Sequence, residues 1–306
     1  MKLLETIGNT PLIEMQHISP KKTVRIFAKL EGNNPSGSIK DRIVNAMIND
    51  AEKKGIIKPG DTIVEASSGN TGIALSMIAQ QKGYKALIVI PREVPPSIGD
   101  LLKLYGAEIH WCDSGGGMKT PIETAKEVAV GNSYHLLGQF SNDINSNTHY
   151  LTTGKEIVDH IGWVDAFIAG IGTGGTIMGV GKRLREINSN IRLIGVEPTL
   201  GDRLQGLRNL QDGYIPSLLN LNDIDGRFLV DSQDAIDTSK MLAQNEGIFS
   251  GISSGATMNI ALRIAEEMDK GIIVVMFSDG GWKYLPSRPW EESIENVSDK
   301  NDLHWW

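Results

Sequence analysis

Lys40 stands in the run Asn34-Pro35-Ser36-Gly37-Ser38-Ile39-Lys40-Asp41-Arg42, which presents one primary amine from a loop at the start of a helix. Pro35 fixes its own φ and holds Asn34 extended, Gly37 permits a tight bend, and Ser38 is placed to cap a helix running from Asp41 through Ile48. An amine in the first turn meets the positive end of the helix, and Arg42 adds a cation nearby. Both disfavour protonation and leave a nitrogen suited to form a Schiff base with an aldehyde. A single lysine is by default a solvated surface charge, so this reading depends on what other loops bring to the same place.

Two loops do so. Glu65-Ala66-Ser67-Ser68-Gly69-Asn70-Thr71-Gly72 follows the apolar run Thr62-Ile63-Val64 and precedes the apolar segment from Ile73 to Ala79, a strand, polar loop and helix in order. Hydroxyls, an amide and glycines at a helix N-terminus converge N–H and O–H donors on a carboxylate or phosphate, although Ser and Gly are also ordinary capping residues. Gly170-Ile171-Gly172-Thr173-Gly174-Gly175-Thr176 follows a second apolar run and opens the helix that begins near Ile177. Its four glycines let the backbone wrap an anion, and Thr173 and Thr176 add hydroxyls. The spacing is not the Gly-x-Gly-x-x-Gly of a dinucleotide site, and no lysine follows the last glycine as a Walker loop requires. A phosphate monoester fits better, and a reactive lysine beside a phosphate cradle points to pyridoxal 5′-phosphate.

The elements that must hold these loops alternate. Runs near residues 62–64, 86–90, 108–111, 166–169, 191–196 and 272–277 read as strands separated mostly by helical patterns, which predicts an α/β protein with mainly parallel sheets and right-handed crossovers. A chain of 306 residues is ample for two cores, and the polar stretch over residues 141–147 marks a boundary near 145. The net charge of −7 argues against nucleic acid as a partner. Cys112 is the single cysteine, which excludes an intramolecular disulfide and fits a reducing cytoplasm. No basic segment followed by an apolar stretch opens the chain, no run of about 18 apolar residues predicts a membrane span, and the six histidines are scattered without zinc-site spacing, so no metal is expected. Trp305 and Trp306 place apolar surface at the tail, as an interface or a disordered end.

The chain resembles the fold-type II pyridoxal-phosphate enzymes, and within them the cysteine synthase or O-acetylserine sulfhydrylase family, most like its B-type members. The likeness covers nearly the whole length: Ile7-Gly8-Asn9-Thr10-Pro11-Leu12, Lys29-Leu30-Glu31-Gly32-Asn33-Asn34-Pro35, the three loops above, Gln139-Phe140-Ser141-Asn142, His149-Tyr150-Leu151-Thr152-Thr153-Gly154, and the run from Gly247 to Ala256. It implies two three-layer α/β domains of the tryptophan synthase β-like kind. Residues 1–12 with 35–145 would form a smaller mobile domain, and residues 13–34 with 146–306 a larger cofactor-binding one. It implies that Lys40 holds the cofactor as an internal aldimine and later moves protons. Asn70 would bond the cofactor's 3′ oxygen, and Gly172, Thr173, Gly174, Gly175 and Thr176 would cradle its phosphate. Ser67, Ser68, Asn70, Thr71 and Gln139 would grip the α-carboxylate of the amino acid, and Ser278 or Asp279, with Ser278 favoured, would meet the pyridine nitrogen.

The chain also departs from the family pattern. Ser67 replaces the usual Thr, residues 91–99 replace a charged segment, Trp282 stands where an acidic residue is commoner, and Asp231 occupies a strand position near the cleft as a possible general base. The activity implied is β-replacement: an O-activated L-serine, O-acetylserine or O-phosphoserine, and sulfide give L-cysteine through an aminoacrylate, in a cytoplasmic homodimer. Arg203 and Arg208 are the arginines available for a phosphorylated donor. The alternatives are a cysteine hydroxyl-lyase releasing hydrogen sulfide and forming serine with help from Asp231, a serine or threonine dehydratase, a threonine synthase or cystathionine β-synthase, and a binding protein that kept only the fold.

Overall fold

A computed structural model describes residues 1–113, 117–202, 204–212 and 214–290. Arg203 and the Trp305-Trp306 tail lie outside the described residues. Among the described residues, ten strands, β1 (Leu12–Glu14), β2 (Val24–Leu30), β3 (Thr62–Ala66), β4 (Lys85–Pro91), β5 (Glu108–Cys112), β6 (His135–Leu136), β7 (Ala166–Gly170), β8 (Arg192–Pro198), β9 (Gly226–Val230) and β10 (Gly271–Phe277), divide between two sheets. The helices are α1 (Lys40–Lys53), α2 (Asn70–Lys82), α3 (Pro96–Leu104), α4 (Lys119–Asn132), α5 (Ile144–His149), α6 (Lys155–Ile161), α7 (Gly175–Arg185), α8 (Ser232–Met241) and α9 (Ile252–Glu267).

The larger sheet runs β1-β2-β10-β7-β8-β9 and is parallel except for β1 against β2; the smaller runs β5-β4-β3-β6, all parallel. Parallel strands covered on both faces need apolar residues at every position, which is why Ile272-Ile273-Val274-Val275-Met276-Phe277 has no polar member. Ile273, Val275 and Phe277 face a core shared with Ile236 of α8 and Ile260 and Ile264 of α9. Val274 and Met276 face the opposite core, with Ile177, Val180 and Leu184 of α7. The smaller sheet is sandwiched in the same way: Ile63, Ile88 and Ile90 pack with α1, α2 and α3, and Val64, Ala66 and Val89 with Ile122, Ala125 and Ala129 of α4. All six strands read from the sequence are present, and β1 and β2 join the larger sheet although they precede every strand of the smaller one.

The polar stretch near 145 enters α5, where Asn145 is fully buried and its Nδ2 donates to the Gln139 carbonyl (2.8 Å) and to Thr173 Oγ1 (3.1 Å). One local expectation changes: Asp231 is not a strand residue, because β9 ends at Val230 and the Asp231 carboxylate accepts from the Asp234 N–H (2.8 Å) as the N-cap of α8.

Candidate active site

The chain passes from β2 into the lysine loop, and that loop is stitched to the end of β10. The Ile39 N–H donates to the Ser278 carbonyl (2.9 Å), Ser38 bridges Asp279, and the Gly280 N–H donates to the Gly37 carbonyl (3.3 Å). Gly37 holds φ at +86°, which turns the chain into α1. Lys40 is the first residue of α1; the N-cap is Ile39 rather than the expected Ser38 and brings no side-chain cap, while the Lys40 N–H reaches Ser38 Oγ at 3.3 Å. The ends of β10, β3 and β7 thus meet one cavity of ≈ 100 Å³, partly open to solvent.

Lys40, Ser67, Ser68, Asn70, Thr71, Gln139, Gly172, Thr173, Gly174, Thr176 and Ser278 all line this cavity. Gly175 begins α7 behind it. The glycines are required: a Cβ at Gly172 would stand 2.7 Å from the Gly206 carbonyl oxygen, one at Gly175 2.0 Å from Asn145 Oδ1, and Gly174 adopts φ +82°. The result is a glycine-rich loop whose backbone opens into the N-terminus of α7, a position suited to an anion. Thr176 Oγ1 lies 3.3 Å from His149 Nε2, and His149 Nδ1 lies 3.0 Å from Thr153 Oγ1. Burial, then the charges of Arg42 and Lys40, hold the His149 imidazole well below its usual range, so it is a neutral partner for the loop.

On the facing side, Ser67 Oγ accepts from the N–H groups of Gly69 (3.1 Å) and Gly72 (2.9 Å) and thereby shapes the turn into α2. Thr71 Oγ1 donates to Gln139 Oε1 (2.6 Å), and Gln139 Nε2 donates to the Ala66 carbonyl (3.0 Å). Glu65, behind the turn, accepts from the N–H groups of Ala66 (3.0 Å) and Gln139 (3.1 Å), while burial raises its carboxyl to about 7.

Enclosure lowers the Lys40 amine to about 8; the Asp279 carboxylate opposes this shift and the Lys283 ammonium adds to it. Burial rather than Arg42 leads this shift, and the Arg42 guanidinium is engaged by Glu31 and Glu156. Ser278 faces the cavity, whereas Asp279 lies buried behind it: Asp279 Oδ2 accepts from Asn70 Nδ2 (2.8 Å) and the Tyr284 hydroxyl (3.1 Å). Asp231 is exposed and is not brought to this cavity; the next residue, Ser232, lines a narrow side pocket that shares Gln205 with it.

Lys283, Asn145 and Gln205 were not singled out in the sequence. Lys283 Nζ donates to Asn70 Oδ1 and to the Gly37 carbonyl (3.3 Å). Arg208 lines the cavity with its guanidinium over the rings of Phe140 (4.9 Å) and Tyr214 (5.3 Å). Cys112 ends β5 with its thiol raised by burial, which suits an inert side chain. Among the described residues, no helix is long and apolar enough to cross a membrane.

The chain matches the model of the family described as pyridoxal-phosphate dependent enzyme over residues 3–279. Cysteine synthase B of Escherichia coli (strain K12) is 40% identical over 284 residues, covering 92% of this chain and 94% of that protein. The crystal structure of O-ureido-L-serine synthase superposes with a TM-score of 0.89 at 36% identity, over 97% of this chain and 98% of the other. That of a hydrogen sulfide-producing enzyme (Fn1220) from Fusobacterium nucleatum does so with a TM-score of 0.88 at 38% identity, over 92% and 99%.

Proposed function

The chain belongs to the family of pyridoxal-phosphate dependent enzymes, and from that premise we propose that it forms L-cysteine from an O-activated L-serine and sulfide by β-replacement. The observation that carries this reading is the convergence of the Lys40 amine, the bare glycine loop, the Ser278 hydroxyl and the hydroxyl-rich turn before α2 on one cavity. These residues fit pyridoxal 5′-phosphate: the glycines let the loop over residues 172–176 pack closely on Gly206, Leu219 and Asn145, so that its backbone and the hydroxyls of Thr173 and Thr176 are available to a phosphate at the N-terminus of α7. When bound, the cofactor supplies an aldehyde carbon for an amine and a ring that accepts the electron pair released at Cα.

Each part of the cavity then has a task. With its pKa near 8, Lys40 Nζ has a far larger neutral fraction near neutral pH than an ordinary lysine and is mostly neutral only above 8, so it can bond the aldehyde, take the α proton of the donor amino acid and return it to the product. Ser67, Ser68, Thr71 and the N-terminus of α2 receive the α-carboxylate, which draws the smaller sheet toward the larger and excludes water from the reacting carbon. A hydroxyl rather than a carboxylate at Ser278 leaves a ring nitrogen unprotonated and the ring a moderate electron sink, which suits loss of a leaving group from Cβ. Sulfide replaces that group at Cβ, and the balanced outcome is L-cysteine plus acetate or phosphate.

Arg208 lines the cavity wall, and O-acetylserine and O-phosphoserine are the two donors to compare. A second reading, release of hydrogen sulfide from L-cysteine with formation of L-serine, is supported by the likeness to the Fusobacterium nucleatum enzyme and by the side pocket at the start of α8 beside Asp231. The reading includes a cytoplasmic homodimer acting on small molecules, testable by light scattering of the purified protein.

The experiment is turnover of the purified yellow protein with O-acetylserine, O-phosphoserine, serine or cysteine, each with and without sulfide. Cysteine formed from one activated serine supports the first reading and names the donor. Sulfide and serine formed from cysteine alone overturn it. Asp231→Asn then separates the readings further: it keeps an equivalent helix cap and removes only a carboxylate that water addition would need.

A further inference from the structure

Asn70 is held by two groups of opposite hydrogen-bonding character. The Asp279 carboxylate only accepts, so the Asn70 Nδ2 must face it, and the Lys283 ammonium only donates, so Oδ1 must face Lys283. The same ammonium reaches the Gly37 carbonyl at 3.3 Å, three residues before Lys40, and a Cβ at Gly37 would lie 3.4 Å from the Lys283 side chain. Lys283 therefore spans the N-terminus of α2, on the smaller sheet, and the loop that delivers Lys40 to the end of β10 on the larger one. We propose that Lys283 is a positioning residue for the reaction: it fixes the Asn70 carboxamide in one orientation at the cavity wall and locks that amide to the lysine loop. This inference rests on the cysteine-forming reading for its kinetic part alone.

Without Lys283 the amide has an alternative. Burial raises the Asp279 carboxyl, and a protonated Asp279 donates, which allows Asn70 to turn its oxygen toward Asp279 and its nitrogen away. Lys283 blocks that inversion twice, by occupying Oδ1 and by favouring the ionised carboxylate through its charge. The charged groups facing Lys283 are Asp279, Asp41 and the Lys40 amine, while Glu31 also acts on Lys40. Loss of the Lys283 charge removes the cation that acts against protonation of Lys40 and leaves the attraction of Asp279, so a nitrogen at Lys40 binds its proton more tightly.

The test uses holoenzyme carrying Lys283→Met or Lys283→Arg, with thermal unfolding measured first to confirm that both fold. For Lys283→Met, the pH midpoint of the visible cofactor spectrum is expected to move up by about one unit and kcat to fall by about tenfold, with the donor KM changed less than about twofold. Lys283→Arg, which can still donate to Asn70 Oδ1, restores both. A spectral midpoint and kcat unchanged in Lys283→Met, or a midpoint that Lys283→Arg fails to restore, overturns the proposal. Wild-type protein that turns over no activated serine overturns the functional reading instead, and the spectral midpoint still decides the role of Lys283.

Discussion

Arg42 and Glu156 form a two-point ion pair, with Nη1 to Oε1 at 2.6 Å and Nη2 to Oε2 at 2.8 Å, that ties the first turn of α1 to α6. Arg42 Nε and Nη2 also bind the fully buried Glu31 (2.6 and 2.8 Å), and Lys29 Nζ adds 2.6 Å contacts to Glu156 and to the Thr10 carbonyl. Two cations and two carboxylates thus satisfy one another in a largely buried site that solvent reaches only at Glu156. A buried network of this kind is weak evidence for net stability, but it sets the rotation of α1 and hence the direction in which Lys40 leaves it.

Removing one member leaves its partners uncompensated. Glu156→Gln is expected to lower the unfolding free energy at neutral pH by on the order of 2 kcal/mol, a discounted figure because 18% of the Glu156 side chain remains exposed to screening solvent. Burial alone would raise the Glu156 carboxyl; hydrogen bonds and charge from Arg42, then Lys29, overcome this and hold it at about 2, below its ordinary 4.5. The pair's contribution is therefore complete above 4.5 and lost as pH falls through about 2, so the gap between variant and wild type in chemical denaturation should narrow across that window.

For Lys40, a depressed amine predicts a pH dependence before any catalysis. The rate at which cofactor-free protein takes up pyridoxal 5′-phosphate should rise with pH through about 8 and level off above it, because only the neutral amine attacks. A rate still climbing at pH 10 as for an ordinary lysine contradicts the enclosure described. Lys40→Ala should leave no cofactor that borohydride fixes to the chain and should reduce turnover by roughly a thousandfold.

Much of this site was legible in the sequence because it depends on local rules. The lysine loop, the glycine loop and the Ser67-to-Thr71 turn each require special backbone at a strand-to-helix junction, and composition records that need. Strands buried on both faces, such as β10, show as unbroken apolar runs, whereas β6 has only two residues and β9 alternates exposed and buried positions at a sheet edge. Asp231 was misplaced because a helix cap directly after a strand reads as one more strand residue. Lys283 carried no signal at all: its partners Asn70 and Gly37 lie 213 and 246 residues away, and only the fold brings them together.

The glycine loop yields a steric prediction. At Gly172 an added Cβ meets a backbone oxygen, that of Gly206, which no rotamer change relieves. Gly172→Ala should weaken pyridoxal 5′-phosphate binding by at least about tenfold, or about 1.4 kcal/mol, while the cofactor-free protein remains folded. Equal cofactor affinity in equilibrium dialysis would show that the segment over residues 204–207 yields easily and does not shape the cradle.

Ser278 gives the sharpest contrast between two substitutions at one position. Its hydroxyl lines the cavity, and a single neutral hydrogen bond contributes about 1 kcal/mol, so Ser278→Ala should cost about tenfold or less in kcat/KM. Ser278→Asp should be far worse despite its similar size. Asp279 beside it is fully enclosed and its carboxyl is already raised by burial although Lys283 and Lys40 act on it, so a second carboxylate at 278 adds a like charge to an enclosed site. Protonation relieves that repulsion, which means cofactor affinity in Ser278→Asp should recover as pH is lowered while that of Ser278→Ala does not. Cofactor affinity of the aspartate variant that stays flat with pH would place position 278 in contact with solvent rather than with the enclosed end of β10.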